Sequence, residues 1–524
     1  MAGGGKLYAP KEAWADCTVQ LILICLLYSM GSIFFGNDGA SFGGVQTFDP
    51  FLEKFGTWNE EKDDYAIPTH VVSMMNSLPL IGKFLGAAIV GPMIERWGHR
   101  LSMAVTCCVQ VVGTVIQVTS QTPAQFIVGR MLIYGAVGLV ENVVPTYESE
   151  ICPAPLRGFC VGSIQLFLTF GSLIAGVVNE GLSKLDTDAG WMVATGIQGI
   201  PAIIILAGLY FTPNSPRWLI SKNRRSDALK SLKVFRPQKA VDEGLCELEI
   251  IALENSDNRS EKAPWKALFN ASNRRRTSIA LVIMSLQQLT GVTFSSSYGP
   301  TFYKQVGLGD KAFAYAAINN GVSVVTALIG MYLFDVFGRR DLTFHGCWGQ
   351  ALFLCLIGGL GAKGNRSTPD TNGMVASFIL YAAILHATLG PAAYITAAEV
   401  GTATLREKTM ALSTAWNVVI GFAVVYSTPY LLSTPGANLG ARLGYIWGGC
   451  AFVGAIWVWF FMPELKGRSL EDIDELFEAR LPAWRFKGYE CMGLNGGDLA
   501  RIRDKVGEDD GDKGDRVELE DVKV

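Results

Sequence analysis

Charged side chains are scarce in this sequence. They make up 17% of its 524 residues, against about a quarter in soluble domains, and half of the residues are hydrophobic. The 44 lysines and arginines nearly balance the 47 aspartates and glutamates, so the net charge of −3 gives no bulk attraction to nucleic acid. The composition therefore disfavours a soluble globular protein and a nucleic-acid-binding protein, and it is typical of a membrane protein.

Motifs of common catalytic and metal sites are also missing. The sequence contains no GxxxxGK[ST] nucleotide-binding loop and no HExxH helix, and its four histidines have no ligand spacing. Eleven cysteines are scattered without a CxxC pair, which gives no support for a disulfide framework or a zinc site. We therefore expect neither an enzyme nor a cofactor or metal site.

Long apolar runs dominate the chain. A helix of about 20 apolar residues crosses the roughly 30 Å of hydrocarbon in a bilayer. Runs of this kind lie at residues 17–37, 70–93, 101–119, 123–145, 158–178, 191–211, 277–297, 312–333, 342–361, 374–394, 407–430 and 443–462. The first run has no small-residue cleavage site, so we expect it to be retained. The sequence predicts an all-α membrane protein with twelve transmembrane helices.

Basic residues are distributed unevenly between the connecting segments. Residues 212–276 contain 14 lysines and arginines, whereas residues 37–66 contain two. The positive-inside rule then places the first segment, and with twelve crossings both termini, in the cytoplasm. We expect a cytoplasmic N-terminus (1–16), a six-helix bundle (17–211), a cytoplasmic linker with short helices (212–276), a second bundle (277–462) and a tail (463–524) with a disordered acidic end.

The two bundles repeat each other. Three landmarks recur in the same order, at offsets of 240, 249 and 250 residues: Gly98 and Gly338, Glu150 and Glu399, and Pro213 and Pro463. Repetition at nearly one offset indicates two six-helix halves in parallel orientation. A parallel repeat of this kind is typical of transporters whose halves rock about a central site.

Several motifs extend this comparison to a known family. They are the two G[HR]R loops, VGRMLIYGAVG at 128–138, VPTYESEICPAPLRG at 144–158, SPRWL at 215–219, QQLTG at 287–291, GPAAY before Glu399, and PELKGRSLEDID at 463–474. Together and in this order, over residues 14–478, they resemble the sugar porters of the major facilitator superfamily, with similarity to fungal members. The resemblance implies twelve helices in two halves and transport by alternating access.

Charged residues recur at matched helix ends in both halves, where neighbouring charges can form ion pairs. By the resemblance they form an inner gate, which closes the cytoplasmic side in the outward-facing state. The gate residues are Glu95, Arg96, Arg100, Glu150, Arg157, Asp335, Arg339, Arg340, Glu399 and Arg406. The alternative is plain positive-inside topology. Two departures from the family, Asn214 for an acid and His99 for an arginine, predict a weaker gate in the first half.

Asp38 lies in the first apolar run, in FGNDG. An ionised acid at membrane depth costs about 2.5 to 3.5 kcal/mol on insertion scales, so we expect a cationic partner and a wet surrounding. The resemblance aligns Asp38 with the proton carrier of proton-coupled sugar porters and implies Arg130 as its partner. The alternative is a fixed structural pair without proton transfer.

Glu141 is a second acid within an apolar run. It follows Arg130 by eleven residues, which returns within about 20° of the same helical face and about 16 Å along the axis. We expect it to face the same cavity, where it would relay a proton, bind a polar substrate, or form a neutral hydrogen bond as a protonated acid. Lys83, in the second run, is interpreted as extending to the membrane surface.

The substrate site is predicted from the resemblance, residue by residue. The implied binding residues are Gln165, Gln287, Gln288, Tyr298, Tyr394 and Asn417. Amides suit pairs of sugar hydroxyls, and aromatic rings suit the apolar faces of sugars. Tyr298 follows Gln287 by eleven residues, which predicts a shared face. The alternative is that the amides tie helices together. Thr293 and Ser297 replace a family asparagine and tyrosine, which weakens the case for a common hexose.

These observations favour a secondary active transporter of a sugar or polyol, coupled to protons, in the plasma membrane. Its expected partners are the small-molecule substrate, the proton and the lipid bilayer, with no nucleic acid. Two alternatives remain: uptake or efflux of another small polar metabolite, and a nutrient sensor that does not transport.

Overall fold

The computed structural model describes residues 18–489, with gaps at 60–63, 153, 258–263, 272, 310, 364–366, 403–404 and 433–435 and at eight positions between 467 and 480. Helices of the first half are α1 (Val19–Ser29), α2 (Ile33–Val45), α3 (Asp49–Phe55), α4 (Thr69–Ser77), α5 (Pro79–Val118), α6 (Pro123–Ile151), α7 (Ala154–Leu182), α8 (Ala189–Gly196) and α9 (Ile200–Gly208). Short 3-10 turns join α1 to α2 and α8 to α9. Helices suit a bilayer because each satisfies its own backbone hydrogen bonds.

The number of crossings depends on one glycine. By length and composition, eleven helical runs in the described chain could cross a membrane, and one of them, Thr69–Val118, has 50 residues. Such a run would be about 75 Å long as one straight helix, more than twice the hydrocarbon thickness. Gly98 within it has φ 78° and ψ 169°, which interrupts the helix. The run therefore contains two crossings, and the predicted total of twelve is confirmed.

The linker forms four short helices on one side of the bundle. They are α10 (Pro216–Ser221), α11 (Arg225–Phe235), α12 (Gln238–Asp242) and α13 (Leu245–Asp257). The linker packs on the first half, because Arg236 Nη1 donates to Ile151 O at 3.0 Å and Tyr147 Oη donates to Pro213 O at 2.7 Å. We call this side of the bundle the linker face.

Helices of the second half are α14 (Arg274–Leu289), α15 (Val292–Ser297), α16 (Gly299–Gln305), α17 (Lys311–Phe337), α18 (Arg339–Gly361), α19 (Thr368–Ala387), α20 (Leu389–Val400), α21 (Arg406–Leu432) and α22 (Leu443–Phe461). Two predicted continuous helices are broken. The run at 277–297 breaks at Gly291, with φ 86°, and the run at 374–394 breaks at Thr388, with φ −128° and ψ −90°. The breaks end regular helix beside several predicted site residues.

The opposite side of the bundle carries a small β-hairpin that the sequence did not predict. Strands β1 (Thr57–Asn59) and β2 (Asp64–Ala66) pair antiparallel. Nearby, Lys54 Nζ lies 3.0 Å from Asp188 Oδ2, and Trp191 Nε1 donates to Asp188 Oδ1 at 3.1 Å. We call this side the hairpin face.

Each half has its own hydrophobic core. In the first half, the rings of Tyr28 and Tyr147 stack with centroids 4.1 Å apart, and in the second half Phe302 and Phe378 stack at 4.9 Å. The halves meet where α7 contacts α17, where α21 contacts α4 and α5, and where α2 contacts α15 and α16. Each half can move as a unit around its own core, and a third cluster, in which the rings of Phe48 and Phe313 lie 5.5 Å apart, joins the halves.

Candidate functional site

Asp38 and Arg130 form a buried ion pair in the first half. Arg130 Nη2 donates to Asp38 Oδ2 at 2.6 Å, Nη1 donates to Met75 O at 2.7 Å, and both side chains are 1% exposed. The guanidinium also lies 4.0 Å from the centroid of the Phe42 ring. The structure thus brings together the two residues that the family resemblance paired, Asp38 on α2 and Arg130 on α6.

A second ion pair joins α5 to α6. Lys83 Nζ is 2.7 Å from Glu141 Oε1 and 4.1 Å from the centroid of the Phe35 ring. Lys83 is only 4% exposed. The interpretation that Lys83 extends to the membrane surface is therefore wrong, because a carboxylate within the first half holds its ammonium.

Three amide side chains form one hydrogen-bonded group in the second half. Asn417 Nδ2 donates to Gln287 Oε1 at 3.0 Å, and Gln288 Nε2 donates to Asn417 Oδ1 at 3.0 Å. Gln287 Nε2 donates to Gly390 O at 2.9 Å, and Thr293 Oγ1 donates to Gln288 Oε1 at 3.3 Å. The group ties α14 to α20 and α21, which is the alternative role considered for these amides. Gln287 and Asn417 are buried, whereas Gln288 stays partly exposed.

The remaining predicted substrate residues differ in exposure. Gln165 on α7 and Tyr394 on α20 are partly buried. Tyr298 is 2% exposed, and its hydroxyl donates to Val425 O at 3.4 Å. The argument that Tyr298 shares a helical face with Gln287 is wrong, because the helix breaks at Gly291 between them.

The halves are bonded to each other toward the hairpin face. Ser73 Oγ donates to Tyr426 O at 2.6 Å, Lys304 Nζ donates to Thr47 O at 2.6 Å, and Gln46 Nε2 donates to Ser297 O at 3.0 Å. A small void just inside these bonds is lined by residues of both halves, among them Asn179, Ser296 and Asn319. The site residues are therefore closed off on this side.

The predicted gate residues of the second half form one cluster at the linker face. Arg339 binds Glu399 through two hydrogen bonds of 2.9 and 3.3 Å. Arg340 Nη2 donates to Trp459 O at 2.6 Å, and Arg406 Nε donates to Ala398 O at 2.8 Å. Glu464, which the sequence analysis did not assign to the gate, accepts the backbone N–H of both arginines at the start of α18, at 2.9 and 3.0 Å.

The first half repeats this cluster with weaker chemistry. Arg100 Nη2 donates to Tyr210 O at 3.3 Å, as Arg340 does to Trp459, and the backbone N–H of Arg100 donates to Asn214 Oδ1 at 3.2 Å. His99 Nε2 lies 3.8 Å from Glu150 Oε2, which also accepts the Ser215 hydroxyl. A histidine and an amide thus occupy the places of Arg339 and Glu464.

Glu95 and Arg96 are the remaining gate residues whose side chains the structure describes. Trp218 Nε1 donates to the backbone oxygen of Glu95 at 3.1 Å, and Arg96 is exposed. The side chains of Arg157 and Asp335 lie outside the described part of the structure. The Arg339–Glu399 ion pair and the close approach of His99 to Glu150 each join residues of one half.

Glu148 is a buried acid that the sequence analysis did not single out. It is fully buried, and Ser29 Oγ donates to its Oε1 at 2.5 Å while also bonding Ser163 Oγ at 2.7 Å. This group ties α1, α6 and α7. The available signal was its place two residues before Glu150 in the YESE motif, but only the neighbouring helices supply its partners.

Comparison with known proteins is consistent with this geometry. The model of the family "Sugar (and other) transporter" matches residues 24–477. The xylose transporter XylE from E. coli, in a partially occluded inward open conformation, superposes with a TM-score of 0.72 at 21% identity, over 86% of this chain and 100% of that one. The proton:xylose symporter XylE bound to 6-bromo-6-deoxy-D-glucose gives a TM-score of 0.69 at 22% identity, over 87% and 99%.

Two fungal relatives cover nearly the whole chain. The high-affinity glucose transporter ght2 of Schizosaccharomyces pombe is 29% identical over 95% of this chain and 94% of its own. The major facilitator-type transporter ecdD of Aspergillus rugulosus is 29% identical over 90% of each. The fold and its repeated halves define a multi-pass membrane transporter of the major facilitator superfamily. Within it, the chain belongs to the sugar (and other) transporter family, whose members work by alternating access.

Proposed function

We propose that the protein carries a sugar or polyol across the membrane in symport with protons. The moving units are the two halves, residues 17–211 and 277–462, joined by the linker at 212–276. The observation that carries the proposal is the Asp38–Arg130 pair, whose charged atoms lie 2.6 Å apart with both side chains buried.

The pair has the chemistry that coupling needs. Burial favours the neutral acid, whereas an adjacent guanidinium favours the carboxylate, so the balance changes when water reaches the pair. Once Asp38 takes a proton, Arg130 is left as a buried charge without its partner, which is costly. Protonation therefore favours a rearrangement of α2 against α6. A proton taken up on one side can thus drive the movement that delivers the solute to the other side.

The substrate would bind between the halves. Gln288 and Tyr394 of the second half and Gln165 of the first half are partly exposed and offer amide and aromatic groups. Gln287 and Asn417 hold Gln288 in place, and Tyr298 closes the hairpin side. The names of ght2 and XylE, a glucose and a xylose transporter, support a sugar as the solute.

The linker-face clusters act as the inner gate, with Glu95, Arg96, Arg100, Glu150 and Arg157 in the first half and Asp335, Arg339, Arg340, Glu399 and Arg406 in the second. The charge of the linker supports cytoplasmic termini, and we propose the plasma membrane as the location. The protein works without enzymatic chemistry or a cofactor, and its partners are the solute, the proton and the bilayer.

The test is uptake of labelled sugars and polyols in yeast that lacks its own hexose transporters. External pH is held acidic or neutral, and surface protein is measured with a fluorescent tag. We expect faster uptake at acidic pH in the wild type and loss of this difference in Asp38→Asn. Asp49→Asn, an exposed carboxylate on the hairpin face, is the matched control and should keep it.

Two outcomes would contradict the proposal. Uptake that is equal at both pH values, and unchanged in Asp38→Asn, would exclude proton coupling through this residue. If no sugar or polyol enters at either pH while the protein reaches the surface, the substrate class is wrong.

A further inference from the structure

The Lys83–Glu141 pair is built into the closest contact between α5 and α6. A Cβ atom added to Gly138 would lie 2.1 Å from Lys83 O, and one added to Gly82 would lie 2.0 Å from Met131 O. The two backbones therefore touch, without room for any larger residue. Glu141 is three residues after Gly138, on the next turn of the same face, so its carboxylate reaches the Lys83 ammonium.

Only one oxygen of this carboxylate is used. Glu141 Oε1 accepts from Lys83 Nζ at 2.7 Å, and the ammonium is also held against the Phe35 ring at 4.1 Å. Oε2 is buried, and no donor among the described residues bonds to it. Leaving a buried acceptor without a donor costs free energy, and the cost is greater for a charged group. The Glu141 carboxylate is thus held in place through Oε1, and Oε2 remains available as an acceptor.

The spare acceptor lies at the seam between the halves. Lys83 Nζ, which holds Glu141, lies 4.1 Å from the ring of Phe35 on α2, and α2 contacts α15 of the second half, which carries Tyr394 on its helix α20. Tyr394 is the aromatic residue proposed for the substrate site, and α20 begins at the helix break beside Gly390, which accepts from Gln287. A solute held by the amides and by Tyr394 would therefore present its other edge to Glu141.

We propose that Glu141 Oε2 accepts a hydrogen bond from a hydroxyl group of the transported solute, with Lys83 as the positioning residue. An ionised carboxylate accepts from hydroxyls more strongly than an amide does. The Lys83 ammonium, 2.7 Å from Glu141 Oε1, balances the charge of the carboxylate, so the pair as a whole presents no net charge to a neutral solute. A solute carboxylate would be repelled by Oε2. The site therefore selects a neutral polyhydroxylated compound over a sugar acid, and Glu141 binds substrate instead of relaying protons.

This inference rests on the proposed function and deepens it, and its test uses the full chain in the same yeast. Apparent KM and maximal rate are measured for the best neutral sugar and for its single-deoxy analogues, in the wild type and in Glu141→Gln. We expect one deoxy analogue to have a KM roughly tenfold or more above that of the parent sugar in the wild type. In Glu141→Gln the KM of the parent sugar should rise by a similar factor, and the KM of that deoxy analogue should not rise above its wild-type value. The pH dependence of uptake should remain.

Controls separate binding from folding. Glu180→Gln removes a carboxylate that pairs with Lys184 at 3.7 Å near the hairpin face, away from this site, and should leave KM unchanged. If Glu141→Gln fails to reach the membrane, the double variant Lys83→Gln with Glu141→Gln keeps a neutral hydrogen-bonding pair, and the same loss of discrimination is expected. The corresponding sugar acid is added as a competitor and should compete at least tenfold more weakly than the parent sugar.

The outcomes distinguish the two proposals. If the wild type takes up no sugar or polyol, the proposed function fails and this inference falls with it. If the wild type transports but Glu141→Gln leaves KM unchanged for every analogue, only the inference fails. Loss of pH dependence in Glu141→Gln with unchanged KM would assign Glu141 to proton transfer, and effective competition by the sugar acid would overturn the substrate class.

Discussion

Asn214 and Glu464 occupy the same place in the two halves. Each caps the start of a helix that follows a glycine with positive φ. The φ angle is 78° at Gly98 and 91° at Gly338. Asn214 Oδ1 accepts one backbone N–H at 3.2 Å, whereas the two oxygens of Glu464 accept two, at 2.9 and 3.0 Å. The acid also suits the positive end of the α18 dipole. The repeat is thus preserved as a geometry, although the residue type differs.

The first prediction follows from this difference. Glu464→Ala removes two acceptors from the start of α18 and should destabilise the second half by about 1 to 2 kcal/mol, the range of a lost helix cap. Asn214→Ala removes one neutral bond and should cost less, about 0.5 to 1 kcal/mol. The measurement is thermal unfolding of the purified proteins. Glu464→Gln keeps one side-chain oxygen that can accept a backbone N–H, so it should recover part of the lost stability. Equal losses in the two alanine variants would contradict the argument.

The twelve crossings and the repeat were predictable because they depend on local properties. Apolar length decides whether a segment crosses the bilayer, and fixed offsets between landmarks reveal a duplication. The Asp38–Arg130 pair was also within reach, since a buried acid needs a cation and the resemblance pointed to one. The offset of 250 residues between Pro213 and Pro463 also relates Asn214 to Glu464, but the sequence analysis did not draw that pairing and did not show that both residues cap a helix.

The remaining features depend on how helices meet. Lys83 was assigned to the membrane surface because its partner lies 58 residues away, and only the contact at Gly138 shows that α5 and α6 touch there. The amide group was expected to face the solute, but three helices converge so that its members bond each other. Gly291 in QQLTG was a signal for a helix break, yet glycine within an apolar run does not by itself decide between a break and a continuous helix.

The second prediction concerns the closure at the hairpin face. Ser73→Ala removes the 2.6 Å bond to Tyr426 O that joins the halves. One hydrogen bond is worth about 0.5 to 1.5 kcal/mol, so the population open on this face should rise by about two- to twelvefold. A cysteine replacing Ser296, which lines the void inside the closure, should then react faster with a membrane-impermeant thiol reagent.

Ser77→Ala is the matched control for this experiment. Ser77 Oγ donates to Ser73 O at 2.7 Å, a bond within α4 that does not cross between the halves. Labelling at position 296 should therefore stay at the wild-type rate in this variant. If the two alanine variants label equally fast, the cross-half bond is not what keeps this face closed.

The third prediction is a small pH dependence of stability at the hairpin face. Partial burial raises the pKa of Asp188, but hydrogen bonds from Trp191 and Lys54 outweigh it and lower the pKa below the ordinary aspartate value. Because the folded pKa is depressed, the stabilisation is present above the unfolded pKa of about 3.9 and is lost as pH falls through the folded pKa. The side chain is 47% exposed, so the effect should stay below about 1 kcal/mol.

Thermal unfolding from neutral pH to below about 4 measures this effect. Asp188→Asn should be less stable at neutral pH and should lose less of its stability on acidification than the wild type. Asp186→Asn, at an exposed neighbouring position, should follow the wild-type curve. An identical acid loss in Asp188→Asn and wild type would show that this carboxylate is not responsible.

The fourth prediction separates the two adjacent glutamines. Gln287 is 6% exposed and bonds Gly390 O and Asn417, so it ties α14 to α20 and α21. Gln287→Ala removes two buried hydrogen bonds, the one to Gly390 O and the one from Asn417 Nδ2, and should cost about 1 to 3 kcal/mol of stability. Gln288 is partly exposed, and its Nε2 bonds Asn417 Oδ1 at 3.0 Å. Gln288→Ala should cost less stability and instead raise the KM for the solute.

Thermal unfolding and uptake kinetics on the same variants decide between these roles. For Gln288→Ala we expect roughly a tenfold rise in KM at an unchanged maximal rate. The reason is that the hydrogen bond from Gln288 to the solute stabilises the bound state and the transition state of the conformational change equally. Thr293→Val, which removes only the 3.3 Å bond to Gln288 Oε1, should raise KM by a smaller factor, since it loosens Gln288 without removing it. If Gln288→Ala lowers stability as much as Gln287→Ala and leaves KM unchanged, both amides serve only to join helices. The solute would then be recognised from the first half, by Gln165 and Glu141.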